Sequence, residues 1–189
     1  MSKLILLRHL ESQWNKENRF TGWTDIPLSK EGIESAKGVA EELAGLKIDK
    51  VYTSPLVRNK KTVSLLLENL GKKDLPVVID KALDERNYGK LQGLNKDEVK
   101  KQYGEERVKL WRRSWDQAPP EGESLKDVFN RAVPFFQKYI EKDLKGGKNV
   151  LVVASHNSLR ALIKYIENIS EDNIIDIEIE PGELKIYEI

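Results

Sequence analysis

The chain has two histidines, and each closely follows an apolar run that is typical of a buried β-strand. His9 comes after Leu4–Leu7 and Arg8, and His156 comes after Val150–Ala154 and one serine. Ligands bind beyond the carboxyl ends of the strands in open α/β sheets, so we expect the two rings to face each other across one crevice. A neutral histidine can attack phosphorus while arginines neutralise the phosphoryl oxygens. The pattern therefore predicts a site for phosphoryl transfer.

Further charged residues could complete such a site. Arg58 would lie in the first turns of the helix after the second strand, while Glu85–Arg86 and Arg112–Arg113 fall in a polar segment that could cover the crevice. Each of these residues, taken alone, is more typical of a solvated surface charge. Phosphoryl transfer needs mainly positioning and charge stabilisation, and a cluster of arginines with one carboxylate could supply both.

The elements that must position these residues alternate between strands and helices. This order predicts an α/β fold, a three-layer sandwich with a mostly parallel central sheet flanked by helices, in a single domain over residues 1–189. The predicted strands cover residues 4–7, 50–53, 77–79, 150–154, a stretch around Ile177, and 184–187.

Helices are predicted from apolar residues at helical spacing and from capping residues. Ser29 should cap a helix over 33–43, and Ser54-Pro55 should open one that runs through Leu66. A third should run over 125–140 with a kink at Pro134. Two further helices are expected around Trp111 and over 158–166, while most of 80–122 has no clear pattern.

Composition narrows the function further. The net charge is +1, so no global basic field favours nucleic acid or an anionic membrane, and an anion site must be a local cluster. The chain has no cysteine, which excludes disulfides, thiolate catalysis and cysteine-ligated zinc. No stretch has the length of a signal sequence or membrane span. We therefore expect a soluble, cytoplasmic protein.

Several motifs resemble a known family. Leu6–Asn15 resembles the Arg-His-Gly-Glu signature of the histidine phosphatase superfamily. Asn18–Asp25 narrows the resemblance to the cofactor-dependent phosphoglycerate mutases, whose fold is a three-layer α/β sandwich. Further matching segments are Tyr52–Ser54 with Arg58, Asp84–Lys96, Trp111–Ser114 and Asn157–Leu162. The similarity covers nearly the whole chain in order.

The resemblance implies roles for individual residues. His9 would become phosphorylated, Arg8, Arg58 and His156 would hold the transferring group, and Glu85 would act as general acid and base. The residues expected to contact the substrate are Asn15, Thr21, Gly22, Arg86, Tyr88, Lys96, Arg112, Arg113 and Asn157. The family interconverts 3-phosphoglycerate and 2-phosphoglycerate, primes its histidine with 2,3-bisphosphoglycerate and needs no metal. Its partner would be this small phosphorylated substrate, and the chain could also form a homodimer.

Three features differ from the family pattern. Leu10 stands where the signature has glycine, and the glycine that the family places after the second histidine is absent, since Asn157 follows His156 directly. Leucine is expected to add bulk beside the phosphoryl pocket, and the deletion to leave Asn157 or Ser158 as the cap of the next helix. The segment Pro119–Ser124 is short where longer mutases carry an insertion.

These differences leave two other functions open. A shorter cover over the site would suit a phosphatase of a small phosphorylated metabolite. Changes beside both histidines would suit a non-catalytic relative that binds phosphorylated ligands. Retention of the clustered arginines favours an active site, because an inactive one has no physical need for adjacent like charges.

Overall fold

The computed structural model describes all 189 residues and is built around one five-stranded sheet. The strands are β1 (Lys3–Arg8), β2 (Lys50–Thr53), β3 (Val77–Ile79), β4 (Val150–Ala154) and β5 (Leu184–Glu188). Their spatial order is β3-β2-β4-β1-β5; the first four are parallel, and β5 runs antiparallel to β1. The predicted mostly parallel sheet is therefore confirmed.

The strand predicted around Ile177 is wrong. Ile177 follows a 3₁₀ turn, Asn173–Asp176, and its amide N–H donates to the carbonyl of Ile174. The alternation of isoleucine with acidic residues has the period of a strand. However, β4 and β5 already occupy both edges of β1, so this segment instead crosses the end of the sheet.

Helices cover both faces of the sheet. The eight α-helices are α1 (Gln13–Lys16), α2 (Lys30–Leu43), α3 (Val57–Asn69), α4 (Lys96–Tyr103), α5 (Glu105–Arg113), α6 (Leu125–Phe135), α7 (Glu141–Lys145) and α8 (His156–Ile166). Ile5 and Leu7 of β1 point into a core shared with α2 and α3. Leu4 and Leu6 point into the opposite core, shared with α6 and α8. The expected three layers are confirmed, because the three central strands β1, β2 and β4 bury both of their faces.

The starts of α2 and α3 differ in the hydrogen bonds that the nearby serine makes. Ser29 caps α2 as predicted, since its hydroxyl accepts from the amide of Gly32 at 3.0 Å. The predicted start at Ser54-Pro55 is wrong: α3 begins at Val57 and has no side-chain cap. The Ser54 hydroxyl is instead the acceptor for the Asn59 amide at 2.5 Å.

The long helical stretch after Ser124 is interrupted as expected. Pro134 lies near the end of α6, and the chain then makes a π-helical turn, Phe136–Ile140, before α7. Proline has no amide hydrogen to continue the helical ladder, and a wider turn is one way in which a helix absorbs such a break. No helix in the structure has both the length and the apolar character needed to cross a membrane.

Candidate active site

Pairing of β1 with β4 brings the two histidines to one edge of the sheet. Arg8 is opposite Ala154 in the parallel register, and the amide of His9 donates to the carbonyl of Ala154 at 3.0 Å. His9 and His156 both line a cavity of about 310 Å³. Of the residues predicted from the sequence, all but Arg86 line this cavity.

The hydrogen bonds of His9 select one tautomer. Nδ1 lies 2.7 Å from the carbonyl oxygen of Leu10, which can only accept, so Nδ1 carries the proton. Arg58 donates from Nε to the Nε2 atom of His9 at 3.2 Å, so Nε2 carries the lone pair. The imidazole thus presents its nucleophilic nitrogen beside a guanidinium group.

Both histidines are held neutral. Burial, followed by the charges of Arg58 and Arg8, keeps the pKa of His9 well below its usual value of 6.5. Burial also keeps the pKa of His156 well below that value, with Arg8 and Arg160 acting in the same direction. A neutral ring is the form that can attack phosphorus.

The two arginines nearest His9 are anchored by backbone carbonyls. Arg58 is buried and donates to the carbonyls of Gly22 at 2.8 Å and Thr24 at 3.2 Å. Arg8 donates from Nη1 to the carbonyl of Ile179 at 2.6 Å, and its buried Nε has no partner. Their charges are therefore fixed without being neutralised by a carboxylate, which suits a site for an anion.

The loop whose carbonyls accept from the Arg58 side chain also forms part of the cavity wall. Gly22 has φ +55°, and a Cβ there would lie 2.2 Å from the side-chain oxygen of Gln92, so only glycine fits. The neighbouring Thr21 hydroxyl is buried without a protein partner and can donate to a ligand. The two predicted contact residues therefore act differently: Gly22 through its backbone, Thr21 through its side chain.

Glu85 lies in the same cavity and is fixed by the backbone. Its Oε1 accepts from the amide of Arg86 at 2.7 Å and from the amide of Asn157 at 3.0 Å. Its own carbonyl accepts from the indole N–H of Trp23 at 2.6 Å. The other carboxylate oxygen, Oε2, has no hydrogen-bond partner in the protein, and a carboxylate with a free oxygen can exchange a proton.

A second group of cations lies on α4 and α5, in the polar segment that was expected to cover the crevice. Lys96 is the first residue of α4, and Arg112 and Arg113 are the last two residues of α5. No carboxylate lies within ion-pair distance of Lys96 or Arg112. Burial, with the charge of Arg112, lowers the pKa of Lys96 to about 8. This end of the cavity can therefore hold a second anionic group.

The predicted polar contacts are partly engaged by the protein. The Tyr88 hydroxyl accepts from Asn157 Nδ2 and from Arg86 Nη2, each at 3.2 Å, which leaves its own hydrogen free to donate. Burial alone would raise the pKa of Tyr88, but the charges of Arg86 and Arg112 lower it. Asn15 accepts from Ser12 through Oδ1 and keeps its NH₂ group for a ligand.

Arg86 lies behind the cavity wall rather than on it. It is fully buried and donates from Nη2 to the carbonyl of Arg112 at 2.7 Å. Arg160, also fully buried, donates to the carbonyls of Arg113 at 2.7 Å and Arg112 at 3.3 Å. These two guanidinium groups hold the carboxyl end of α5, so they position the side chains of Arg112 and Arg113.

Several lining residues were not predicted as site residues. They are Glu11, Arg19, Phe20, Glu178, Glu180 and Pro181. Arg19 lies inside one of the family-like motifs, so the sequence held a signal for it. Glu178, Glu180 and Pro181 lie in the segment that was predicted as a strand, which concealed their position. Glu178 lies 3.4 Å from His156 Nε2, without hydrogen-bond geometry, and pairs with the guanidinium of Arg113.

Leu10 does not crowd the pocket, so that expectation is wrong. Its side chain is buried in the core between the sheet and α2, and it does not line the cavity. Its amide donates to the Thr62 hydroxyl at 3.1 Å, and its φ angle is not positive. Leucine is therefore compatible with the backbone at this position.

α8 starts directly at His156, where the family glycine is absent. Ser155, in an extended conformation, is the N-cap, so the expected cap at Asn157 or Ser158 is wrong. The strand ends at Ala154, and only Ser155 separates it from the helix. His156 thereby becomes the first helical residue and still faces the cavity.

Comparisons with known proteins agree with this geometry. The sequence profile of the histidine phosphatase superfamily (branch 1) matches residues 4–189. A 2,3-bisphosphoglycerate-dependent phosphoglycerate mutase from Chlamydia muridarum is 43% identical over 212 aligned positions, covering 100% of this chain and 94% of the relative. The enzyme of the same name from Treponema denticola is 45% identical, covering 98% of this chain and 86% of the relative.

Solved structures share the fold. Mycobacterial glucosyl-3-phosphoglycerate phosphatase in complex with VO₃ is 26% identical with a TM-score of 0.88, covering 98% of this chain and 92% of that one. Bacillus stearothermophilus YhfR is 27% identical with a TM-score of 0.85, covering 100% and 92%. The chain belongs to the histidine phosphatase superfamily and, within it, to the family of the 2,3-bisphosphoglycerate-dependent phosphoglycerate mutases.

Proposed function

We propose that this chain is a phosphoglycerate mutase that interconverts 3-phosphoglycerate and 2-phosphoglycerate through a phosphorylated His9. The observation that carries the proposal is the neutral His9, whose Nε2 lone pair faces Arg58 in a cavity lined by cations. Two relatives that are named for this activity are 43% and 45% identical to this chain, which covers 94% and 86% of their lengths.

The side chains have distinct roles in the proposed reaction. Phosphorylated His9 gives its phosphoryl group to the free hydroxyl of the monophosphate as the Nε2–P bond breaks. Nε2 then attacks the other phosphate of the bisphosphorylated intermediate as that ester P–O bond breaks. Arg8, Arg58 and His156 stabilise the charge on the transferring group. Glu85 gives a proton to the departing oxygen and takes one from the accepting hydroxyl.

The second cation group favours a mutase over a simple phosphatase. A mutase must retain an intermediate with two phosphates and a carboxylate, which needs positive charge beyond the phosphoryl pocket. Lys96, Arg112 and Arg113 supply that charge from α4 and α5. The same helices pack around a small apolar cluster that includes Val99 and Val108 and cover the cavity against water.

The donors of the cavity fit 2,3-bisphosphoglycerate as the primer. Arg8 Nε, Thr21 Oγ1 and His156 Nε2 are buried without hydrogen-bond partners, as expected of groups that serve a polyanion. Arg8, Arg58 and His156 would hold one phosphate, while Lys96 and Arg112 would hold the other end. When bound, the primer supplies the phosphoryl group for His9. Cationic side chains take the place that a metal has in other phosphoryl-transfer sites.

A direct assay separates the candidate activities. The protein is incubated with 3-phosphoglycerate, with and without 2,3-bisphosphoglycerate, and both 2-phosphoglycerate and free phosphate are followed. Isomerisation stimulated by the bisphosphate supports the mutase. Release of phosphate alone would favour a phosphatase, the activity named for the mycobacterial structural relative. Binding without turnover would favour the non-catalytic alternative.

We also propose that the chain forms a homodimer. The support is the outer edge of β3, which has no neighbouring strand and exposes Val77 and Ile79. Light scattering after size exclusion measures the mass directly, and a monomer at micromolar concentration would contradict the proposal. The cytoplasmic location and the single domain stay predictions from the sequence.

A further inference from the structure

The segment between α8 and β5 places a carboxylate inside the anion site. Glu178 pairs with the guanidinium of Arg113, and its other oxygen lies 3.4 Å from Nε2 of His156. Both partners belong to the groups that would hold a phosphorylated ligand. The side chain of Glu178 is 43% exposed, so it can leave this position without losing a buried environment.

The backbone around Glu178 is held firmly. Ile179 is buried in the core, and its carbonyl accepts from Arg8 Nη1 at 2.6 Å. Gly182 donates its amide to the carbonyl of Arg8 at 3.0 Å. These bonds tie the residues that follow Glu178 to Arg8, the last residue of β1. The carboxylate therefore stays at high local concentration even when its side chain rotates away.

The four other cations expected to hold the ligand have no such partner. Arg8 and Arg58 donate to backbone carbonyls, and no carboxylate lies within ion-pair distance of Lys96 or Arg112. Of the five cations Arg8, Arg58, Lys96, Arg112 and Arg113, only Arg113 already has an ion pair with a carboxylate of the protein itself. A ligand phosphate or carboxylate that reaches Arg113 must replace Glu178, since two anions cannot share one guanidinium face without repulsion.

We propose that Glu178 is a tethered competitor for the anion site of Arg113 and His156, and that it thereby sets the affinity of the cavity for phosphorylated small molecules. The exchange of one anion for another keeps Arg113 paired both before and after ligand binding. It also weakens binding of product, which favours release. The identity of the ligand rests on the proposed function; the competition itself does not.

The test uses Glu178→Gln in the full chain, which keeps the shape and removes the charge. Titration calorimetry measures the Kd of inorganic phosphate and of 3-phosphoglycerate. We expect both constants to fall roughly three- to tenfold, the range for loss of one partly exposed competing charge. KM should fall with them, while kcat stays equal or falls because the product leaves more slowly.

Glu171→Gln is the matched control, because Glu171 lies in the same segment between α8 and β5 but is exposed and does not line the cavity. We expect it to change Kd less than about twofold. Equal effects of both substitutions would reduce the role of Glu178 to general electrostatics and overturn the proposal. Weaker phosphate binding in Glu178→Gln would also overturn it, by assigning Glu178 to positioning of His156. Phosphate binding needs no turnover, so this test stands even if the mutase assay fails.

Discussion

Arg58 donates a hydrogen bond from its Nε to the Nε2 atom of His9 over 3.2 Å, and the same guanidinium holds the carbonyls of Gly22 and Thr24. One side chain therefore orients the nucleophile, lowers its pKa and fixes the loop beside it. When a phosphoryl group arrives at Nε2, this N–H is already placed next to the oxygens that must be neutralised.

Replacement of the nucleophile tests the covalent route. His9→Asn should reduce turnover by more than about 10³-fold, because no other side chain presents a nucleophilic nitrogen at that position. Intact-mass analysis after incubation with 2,3-bisphosphoglycerate should detect phosphorylated wild type and no phosphorylated variant. Circular dichroism should be unchanged. Full activity in His9→Asn would exclude a phosphohistidine.

The planar fork of Arg58 should matter more than its charge. Arg58→Lys keeps the charge but cannot reach His9, Gly22 and Thr24 together, so we expect the rate of His9 phosphorylation to fall by about 10²-fold. Rapid-quench measurement of the phosphoenzyme gives this rate. Lys61→Arg, on the exposed side of α3, is the control and should leave the rate unchanged. An equally fast Arg58→Lys enzyme would contradict the role of the fork.

Stability should decrease as the pH falls below about 6.5. The pKa values of His9 and His156 are both well below 6.5 in the folded chain, so the unfolded chain binds two protons that the folded chain does not. Unfolding free energy is therefore highest above pH 6.5 and should lose about 2–3 kcal/mol by pH 5.5 from these two groups. Burial raises the pKa of Asp84 to about 6, which acts in the opposite direction.

Urea unfolding at several pH values measures this dependence, and a double variant isolates the histidines. His9→Asn combined with His156→Asn removes both titrating rings and leaves Asp84 in place. Its stability should change less than that of the wild type between pH 7.5 and 5.5. Parallel curves for the two proteins would show that the histidines are not the groups involved.

Restoring the family glycine at position 10 should harm the protein. The Leu10 side chain is 1% exposed in the core beside α2, so Leu10→Gly should lower the free energy of unfolding by about 3–5 kcal/mol through the cavity and the added backbone freedom. Urea unfolding gives this value. The activity per folded molecule should not rise, and a large rise would mean that leucine does impede the site.

Arg160 should act on substrate binding without contact to substrate. Its four hydrogen bonds hold the carbonyls of Arg112, Arg113 and Ile174 and the Asn157 side chain. Arg160→Lys cannot reproduce this fork, so we expect KM for 3-phosphoglycerate to rise about tenfold with kcat changed less than about threefold. Arg107→Lys, the same substitution on the exposed side of α5, is the control. A selective fall in kcat would contradict a positioning role.

The pattern of the sequence was sufficient to place both histidines. Apolar runs bounded by Arg8-His9 and by Ser155-His156 encode strands buried on both faces, and parallel pairing then joins their ends. Local sequence patterns do not predict hydrogen bonds between residues that are far apart in the chain. Arg160 reaches carbonyls 47 and 48 residues away, and no spacing rule signals such a bond.

Two predictions from local sequence patterns are wrong because tertiary contacts determine the structure at those positions. Ile177 and Ile179 alternate with acidic residues as in a strand, yet Ile179 is buried in the core while Glu178 and Glu180 face the cavity. Ser54-Pro55 has the composition of a helix start, but Asn59 engages the serine hydroxyl. In both cases a long-range or side-chain partner decided the outcome, and the single sequence does not reveal it.

The position of β1 has a consequence for biosynthesis. This strand emerges first from the ribosome, yet both of its neighbours, β4 and β5, come from residue 150 onward. Until then the backbone of β1 has no paired strand, and Leu4 and Leu6 lack their partners on α8, although Ile5 and Leu7 can already pack on α2 and α3. Truncation anywhere upstream of β4 therefore yields a polypeptide that is both inactive and prone to aggregate, rather than a smaller working enzyme.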